Sequence, residues 1–144
     1  MAYALFSQYV LGLDACPLCI FQRVAIISLG MVFLVAGIHS PAGLAARAYC
    51  ASGVVAAAVG AGIAGRHVYI QNLPPDQVPS CGPGLDYIMD AFPIMEAIEM
   101  VFTGSGECAE VNWSFLGLSM PGWVLLWFIA LAGLVSLANW TRVD

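Results

Sequence analysis

Three stretches of this chain, residues 20–38, 48–70 and 121–139, run for 19, 23 and 19 residues with almost no charge. A helix rises about 1.5 Å per residue and a bilayer's hydrocarbon core is about 30 Å thick, so each stretch is long enough to cross a membrane. Composition agrees. Of the 144 residues 61% are hydrophobic and 9% charged, where soluble domains carry about a quarter charged. The chain reads as one integral membrane domain over residues 1–144, with no length left for a separate soluble unit. Four arginines, no lysine and a net charge of −5 leave nothing to neutralise phosphates, which excludes nucleic acid as a partner.

Residues 2–13 are also apolar and helical in character, but 12 residues reach only about 18 Å. A signal peptide would show a basic start and a small-residue cleavage site, and neither is present. The segment reads as the second half of a first span whose beginning is missing or wrongly assigned. The expected fold is therefore an all-α membrane protein: a four-helix transmembrane bundle with its first span truncated. Its spans lie at about 1–13, 20–38, 48–70 and 121–139, and its outer loops at 14–19 and 71–120. The third span is rich in small residues, with Gly53, Ala57, Ala61 and Gly65 at four-residue steps, a ridge that lets helices approach closely in lipid. Pro121 opens the fourth, a favoured place for proline.

Arg47, between the second and third spans, and Arg142, beyond the fourth, mark the cytoplasmic side by the positive-inside rule. The opposite loops hold Asp14, Asp76, Asp86, Asp90, Glu96, Glu99, Glu107 and Glu110. Cys16, Cys19, Cys81 and Cys108 go with them to the side where disulfides persist, while Cys50 sits near the cytoplasmic end of the third span. In the long outer loop Leu85, Ile88, Met89, Phe92, Met95, Ile98 and Phe102 recur at three- and four-residue steps. A helix with that stripe lies in the interface or packs on the bundle, and either way it tethers the Cys81 and Cys108 regions near Cys16.

Two cysteines three apart can close a small disulfide or, with one thiolate stabilised, transfer electrons. Spacing alone does not separate this from zinc. A second pair 27 residues apart is unlike the compact knuckles of structural zinc sites, and no metal is expected; Cys81 and Cys108 taken alone also suit a structural disulfide. Arg23 lies one helical turn beyond Cys19. Two roles are open to it: snorkelling to the interface, or holding a cation beside Cys19 that stabilises a thiolate and binds an anionic or carbonyl-bearing ligand. Arg66 and His67 add polar groups at similar depth, and His67 suits either ligand contact or a satisfied interfacial histidine. A lipid-soluble electron acceptor, a quinone, fits between thiolate, arginine and histidine at a membrane edge.

"CPLCIFQR" and "SGECAEVNWSFLGLSMPGWVLLWFIA" closely resemble the corresponding stretches of DsbB, the bacterial inner-membrane thiol:quinone oxidoreductase family. The likeness covers nearly the whole chain. It implies that Cys81 takes the attack of a reduced periplasmic DsbA-like oxidase. It further implies that Cys108 exchanges with Cys16, and that Cys19, beside Arg23, passes electrons to ubiquinone, or to menaquinone under low oxygen. His67 falls near the family's quinone-contacting histidine once the alignment shifts by about a residue. The family pattern has no need of Cys50. Among other readings, a vitamin-K-epoxide-reductase-like enzyme shares the bundle, the cysteine pair and the quinone but not "CIFQR". A non-catalytic thiol- or metal-binding subunit would hold zinc rather than quinone, and a carrier would show internal repeats and midplane charges.

Overall fold

The computed structural model describes residues 16–74, 76–78, 106–111 and 113–140, with isolated positions between 6 and 12 and between 87 and 99. Among the described residues three helices are long and apolar enough to cross a membrane. The first, α1 (Pro17–His39), begins three residues before the expected edge of the span at 20, inside what reads as the outer loop 14–19. Pro17 occupies the first turn, and Cys16 takes the cap position, its sulfur accepting the Cys19 N–H at 3.3 Å, as a serine oxygen would. It stops at Ser40, whose left-handed φ of 43° turns its N–H back onto Ala36 O at 3.0 Å, with Pro41 blocking any continuation.

A three-residue turn then leads into α2 (Gly43–Gln71), which begins at Gly43 rather than near 48. Arg47 ends the apolar run but not the helix. At 29 residues α2 is about 43 Å long, longer than the hydrocarbon is thick, so its first turns carry an exposed Arg47 in the headgroup zone. The third, α3 (Met120–Trp140), has Pro121 in its first turn. In the bundle α2 lies between α1 and α3 and packs on both. Outward-facing Ile27, Met31, Leu34 and Ile38 of α1 and Ile129, Leu134 and Leu137 of α3 are exposed, the apolar coat that lipid requires.

The expected first span at 1–13 lies largely outside the described residues, apart from one helical hydrogen bond from Val10 N–H to Phe6 O at 2.8 Å. The expected interfacial stripe of residues 85–102 lies outside them save for a few positions. Among the described residues the fold is also not purely helical. Ser114–Phe115 (β1) and Leu118–Ser119 (β2) pair antiparallel around Leu116 and Gly117, at φ 53° and 80°. Two left-handed residues make the tight turn that matches strand twist, and Gly117 takes the second at little cost. Ser119 then donates to Gln71 Oε1 at 2.6 Å, and Trp123 Nε1–H to Phe115 O at 3.0 Å, tying the hairpin to the end of α2 and the start of α3.

The buried face of α2 corrects the expected ridge. Gly53 and Ala57 are buried, but the face continues through Gly60, Ala64 and His67, while Ala61 and Gly65 are only half-buried. The reason is angular: four residues turn about 400°, so a strict four-step ridge drifts about 40° each time, whereas alternating steps of four and three stay in line. At Gly60 the helices touch. A Cβ there would stand 2.3 Å from Cζ of the fully buried Phe128, and Leu29, Ala57 and Phe128, one from each helix, form the core beside it. With no hydrophobic force between helices in lipid, such contact carries the association. Gly60→Ala should therefore cost about 1–3 kcal/mol by overpacking and lower the thermal unfolding midpoint in detergent. Gly60→Ala/Phe128→Leu should recover part of the loss, and Gly62→Ala, whose Cβ meets nothing within 4 Å, should match the unchanged chain. A Gly60→Ala protein of undiminished stability would show that the close approach is not needed.

Candidate active site

The first turn of α1, the last turns of α2 and the short 3-10 turn Gly106–Cys108 converge at one end of the bundle. Because α1 begins at Pro17, Cys16 and Cys19 fall side by side around its start, with their sulfurs 2.8 Å apart. Cys16 is 8% exposed, Cys108 is fully buried, and the two share a cluster with Leu18, Ile63 and Ile70. Hydrogen bonding with Cys108 and with Cys19, reinforced by burial, pushes the Cys16 thiol up and holds it protonated.

His67 reaches this group from α2. It is 2% exposed, with Nε2 3.8 Å from Cys16 Sγ and Nδ1 4.0 Å from Cys19 Sγ. The amide of buried Gln22 lies 3.0 Å from Nδ1 and fixes the ring. Arg23, half-buried one turn beyond Cys19, donates from Nη1 to Gln8 Oε1, and its charge reaches the Cys19 sulfur. Two thiols joined by a third, an oriented imidazole and a guanidinium make a site for thiol–disulfide exchange coupled to an electron acceptor. The Cys16, Cys19 and His67 donor atoms, all within 4.8 Å of one another, also have the composition of a soft-metal site.

The family model described as "Disulfide bond formation protein DsbB" matches residues 1–138. The chain belongs to the DsbB family. It is 53% identical to Disulfide bond formation protein B of Nitrosococcus oceani over 95% of this chain and 80% of that protein. It is 50% identical to that of Saccharophagus degradans over 95% and 81%, and 49% identical to that of Methylococcus capsulatus over 100% and 87%. DsbB proteins are oxidoreductases of disulfide bond formation that reoxidise DsbA and pass the electrons to quinones, and this chain is a multi-pass membrane member of them.

Of the residues singled out in the sequence, this DsbB chain brings Cys16, Cys19, Cys108, Arg23 and His67 to one end of its bundle. Cys81 lies outside the described residues. Arg66, expected beside His67, is half-buried with its guanidinium 5.3 Å from the centre of the Tyr69 ring, since neighbours on a helix point about 100° apart. Gln22, a polar residue inside an apolar span, is a site residue that the sequence reading missed. Its signal was there to read, because a polar side chain that deep needs a partner and the three-residue step from Cys19 puts it on the cysteine face. Cys50 sits about 26 Å away along α2, its thiol donating to Val135 O at 3.8 Å. Cys50→Ala should leave thiol-dependent quinone reduction unchanged, and a large loss of turnover would overturn its place outside the relay.

Proposed function

We propose that Cys16, Cys19, Cys81 and Cys108 form the disulfide relay of this DsbB chain, with Arg23 and His67 receiving the quinone. A reduced DsbA-like dithiol attacks a Cys81–Cys108 disulfide at Cys81. The second thiol of the partner then resolves the mixed disulfide, and the partner leaves oxidised. Cys108, now a thiol, exchanges with the Cys16–Cys19 disulfide at Cys16 and frees Cys19. Restoring Cys16–Cys19 and Cys81–Cys108 sends two electrons and two protons to the quinone, which leaves as quinol. The observation that carries this reading is Cys108, buried against Cys16 at the head of α1. An exchange between loops needs that contact, and a purely structural Cys81–Cys108 bridge does not.

The substrate quinone is ubiquinone, or menaquinone when oxygen is scarce, with the Arg23 guanidinium and the His67 ring donating to its oxygens as charge develops there. The chain acts as one domain in the bacterial inner membrane, its cysteine loops in the periplasm. The acidic loops lie on the cysteine side, while Arg47 and Cys50 belong to the opposite end of α2. Drawing electrons from a strongly oxidising dithiol partner requires a still better acceptor, which is why the pair stands where lipid-soluble quinone can reach it. The test is direct. Purified protein mixed with ubiquinone and a reduced thioredoxin-fold dithiol should form one quinol per dithiol oxidised, and Cys19→Ser should abolish it. Dithiol oxidation without quinol would refute the coupling.

A further inference from the structure

The head of α1 has a second chemistry when its sulfurs are reduced. Around a tetrahedral zinc ion, sulfur at about 2.3 Å and nitrogen at about 2.0–2.1 Å stand roughly 3.5–3.8 Å apart. His67 Nε2 is already 3.8 Å from Cys16 Sγ. The Cys16 and Cys19 sulfurs, at 2.8 Å, need part by only about 1 Å, and Cys19 is not tightly enclosed. The Cys108 thiol, buried beside Cys16 but outside the trio of donor atoms that lie within 4.8 Å of one another, would close in as the fourth donor. Gln22, 3.0 Å from Nδ1, supplies the outer contact that orients a metal-bound imidazole. The Gln22 amide presents its nitrogen to Nδ1; turned over, so that its oxygen accepts from Nδ1–H, it would leave the Nε2 lone pair facing Cys16. Three thiolates around a divalent ion carry one surplus negative charge, and Arg23 lies one turn away to offset it.

We propose that the fully reduced site binds one thiophilic divalent cation of the zinc class through Cys16, Cys19, Cys108 and His67 Nε2, and that the bound ion inhibits the relay. Binding exchanges protons for metal and moves no electrons: each thiol loses its proton to solvent and gains a bond to the ion. The disulfide form has no thiolate pair to offer, so affinity follows redox state, and quinone and metal compete for the same reduced sulfurs. The proposal rests on the relay reading only for which state is inhibited.

Cadmium gives the test a signal of its own in sulfur-to-metal charge-transfer absorbance. The full chain in detergent, reduced anaerobically and freed of reductant, should take up one Cd²⁺ per chain, which Zn²⁺ displaces, and the disulfide form should take up none. His67→Ala and Cys108→Ser should each weaken Cd²⁺ at least tenfold, while Cys50→Ala leaves it unchanged. Zn²⁺ should slow quinone reduction, and chelator should restore it. Equal uptake by reduced and oxidised protein overturns the proposal. So does full affinity in both His67→Ala and Cys108→Ser, which would leave a bare cysteine pair as the binder, and wild-type titration decides the matter if either variant fails to fold. Quinone reduction without metal uptake defeats this inference alone, whereas metal uptake by a chain that cannot reduce quinone defeats the relay.

Discussion

A Cys81→Ser/Cys108→Ser protein should lose oxidation of a DsbA-like dithiol altogether, as expected for a lost sulfur nucleophile, yet still reduce quinone with dithiothreitol. The asymmetry follows from access. Cys16 is 8% exposed and walled by Leu18, Ile63 and Ile70, so a folded partner cannot reach it, and in the relay Cys108 brings the partner's electrons to it. Cys19 is half-buried, open enough for a small dithiol. Serine keeps the size of cysteine but cannot form the mixed disulfide. Parallel assays with the two reductants separate the steps. If both activities disappear together, the outer pair does more than hand over the partner's electrons.

Arg23→Gln should raise the apparent Michaelis constant for quinone and lower turnover, together a loss of about ten- to a hundredfold in kcat/KM, or about 1.4–2.8 kcal/mol. The charge works in a partly desolvated setting, where its attraction for a thiolate or a developing quinone oxyanion exceeds that in water. Lysine keeps the charge but not the planar fork that also engages Gln8, so Arg23→Lys should fall between. Membrane insertion should hardly change, because removing an arginine from a span lightens its cost. The alternative, an arginine that only snorkels, predicts altered insertion with unaltered kinetics. Unchanged quinone kinetics in Arg23→Gln would sink the assignment.

Much of this was written in the residue order, for identifiable reasons. Membrane spans announce themselves because lipid tolerates so little charge, and 19 residues from 20 to 38 carry one arginine. The start of α1 was misplaced, because the apolar run begins at 20, whereas the Cys16 cap and the first-turn Pro17 carry the helix back to 17. What escaped was set by neighbours. Which small residues of α2 face inward depends on helix phase against Phe128, and a list of glycines and alanines does not contain that phase. The Leu116–Gly117 turn lacks the Asn-Gly or Asp-Gly signature that would have marked a hairpin. Gln22 was missed because its partner, His67, stands 45 residues on in the chain.

Helix α2 runs without a break from Gly43 to Gln71, and one consequence concerns insertions and deletions. A rod of this kind measures angle as well as length. One residue added between Gly60 and His67 would swing the imidazole about 100° off the sulfurs and lift it about 1.5 Å. Seven added residues, nearly two full turns, would restore the bearing but carry the ring about 10.5 Å too far. The glycine that admits Phe128 and the histidine that meets the cysteines are seven residues apart, so the seam joining the helices and the reactive end share one angular origin. Added turns should therefore be tolerated only toward the Arg47 end of α2, where they shift neither the Gly60 seam nor His67.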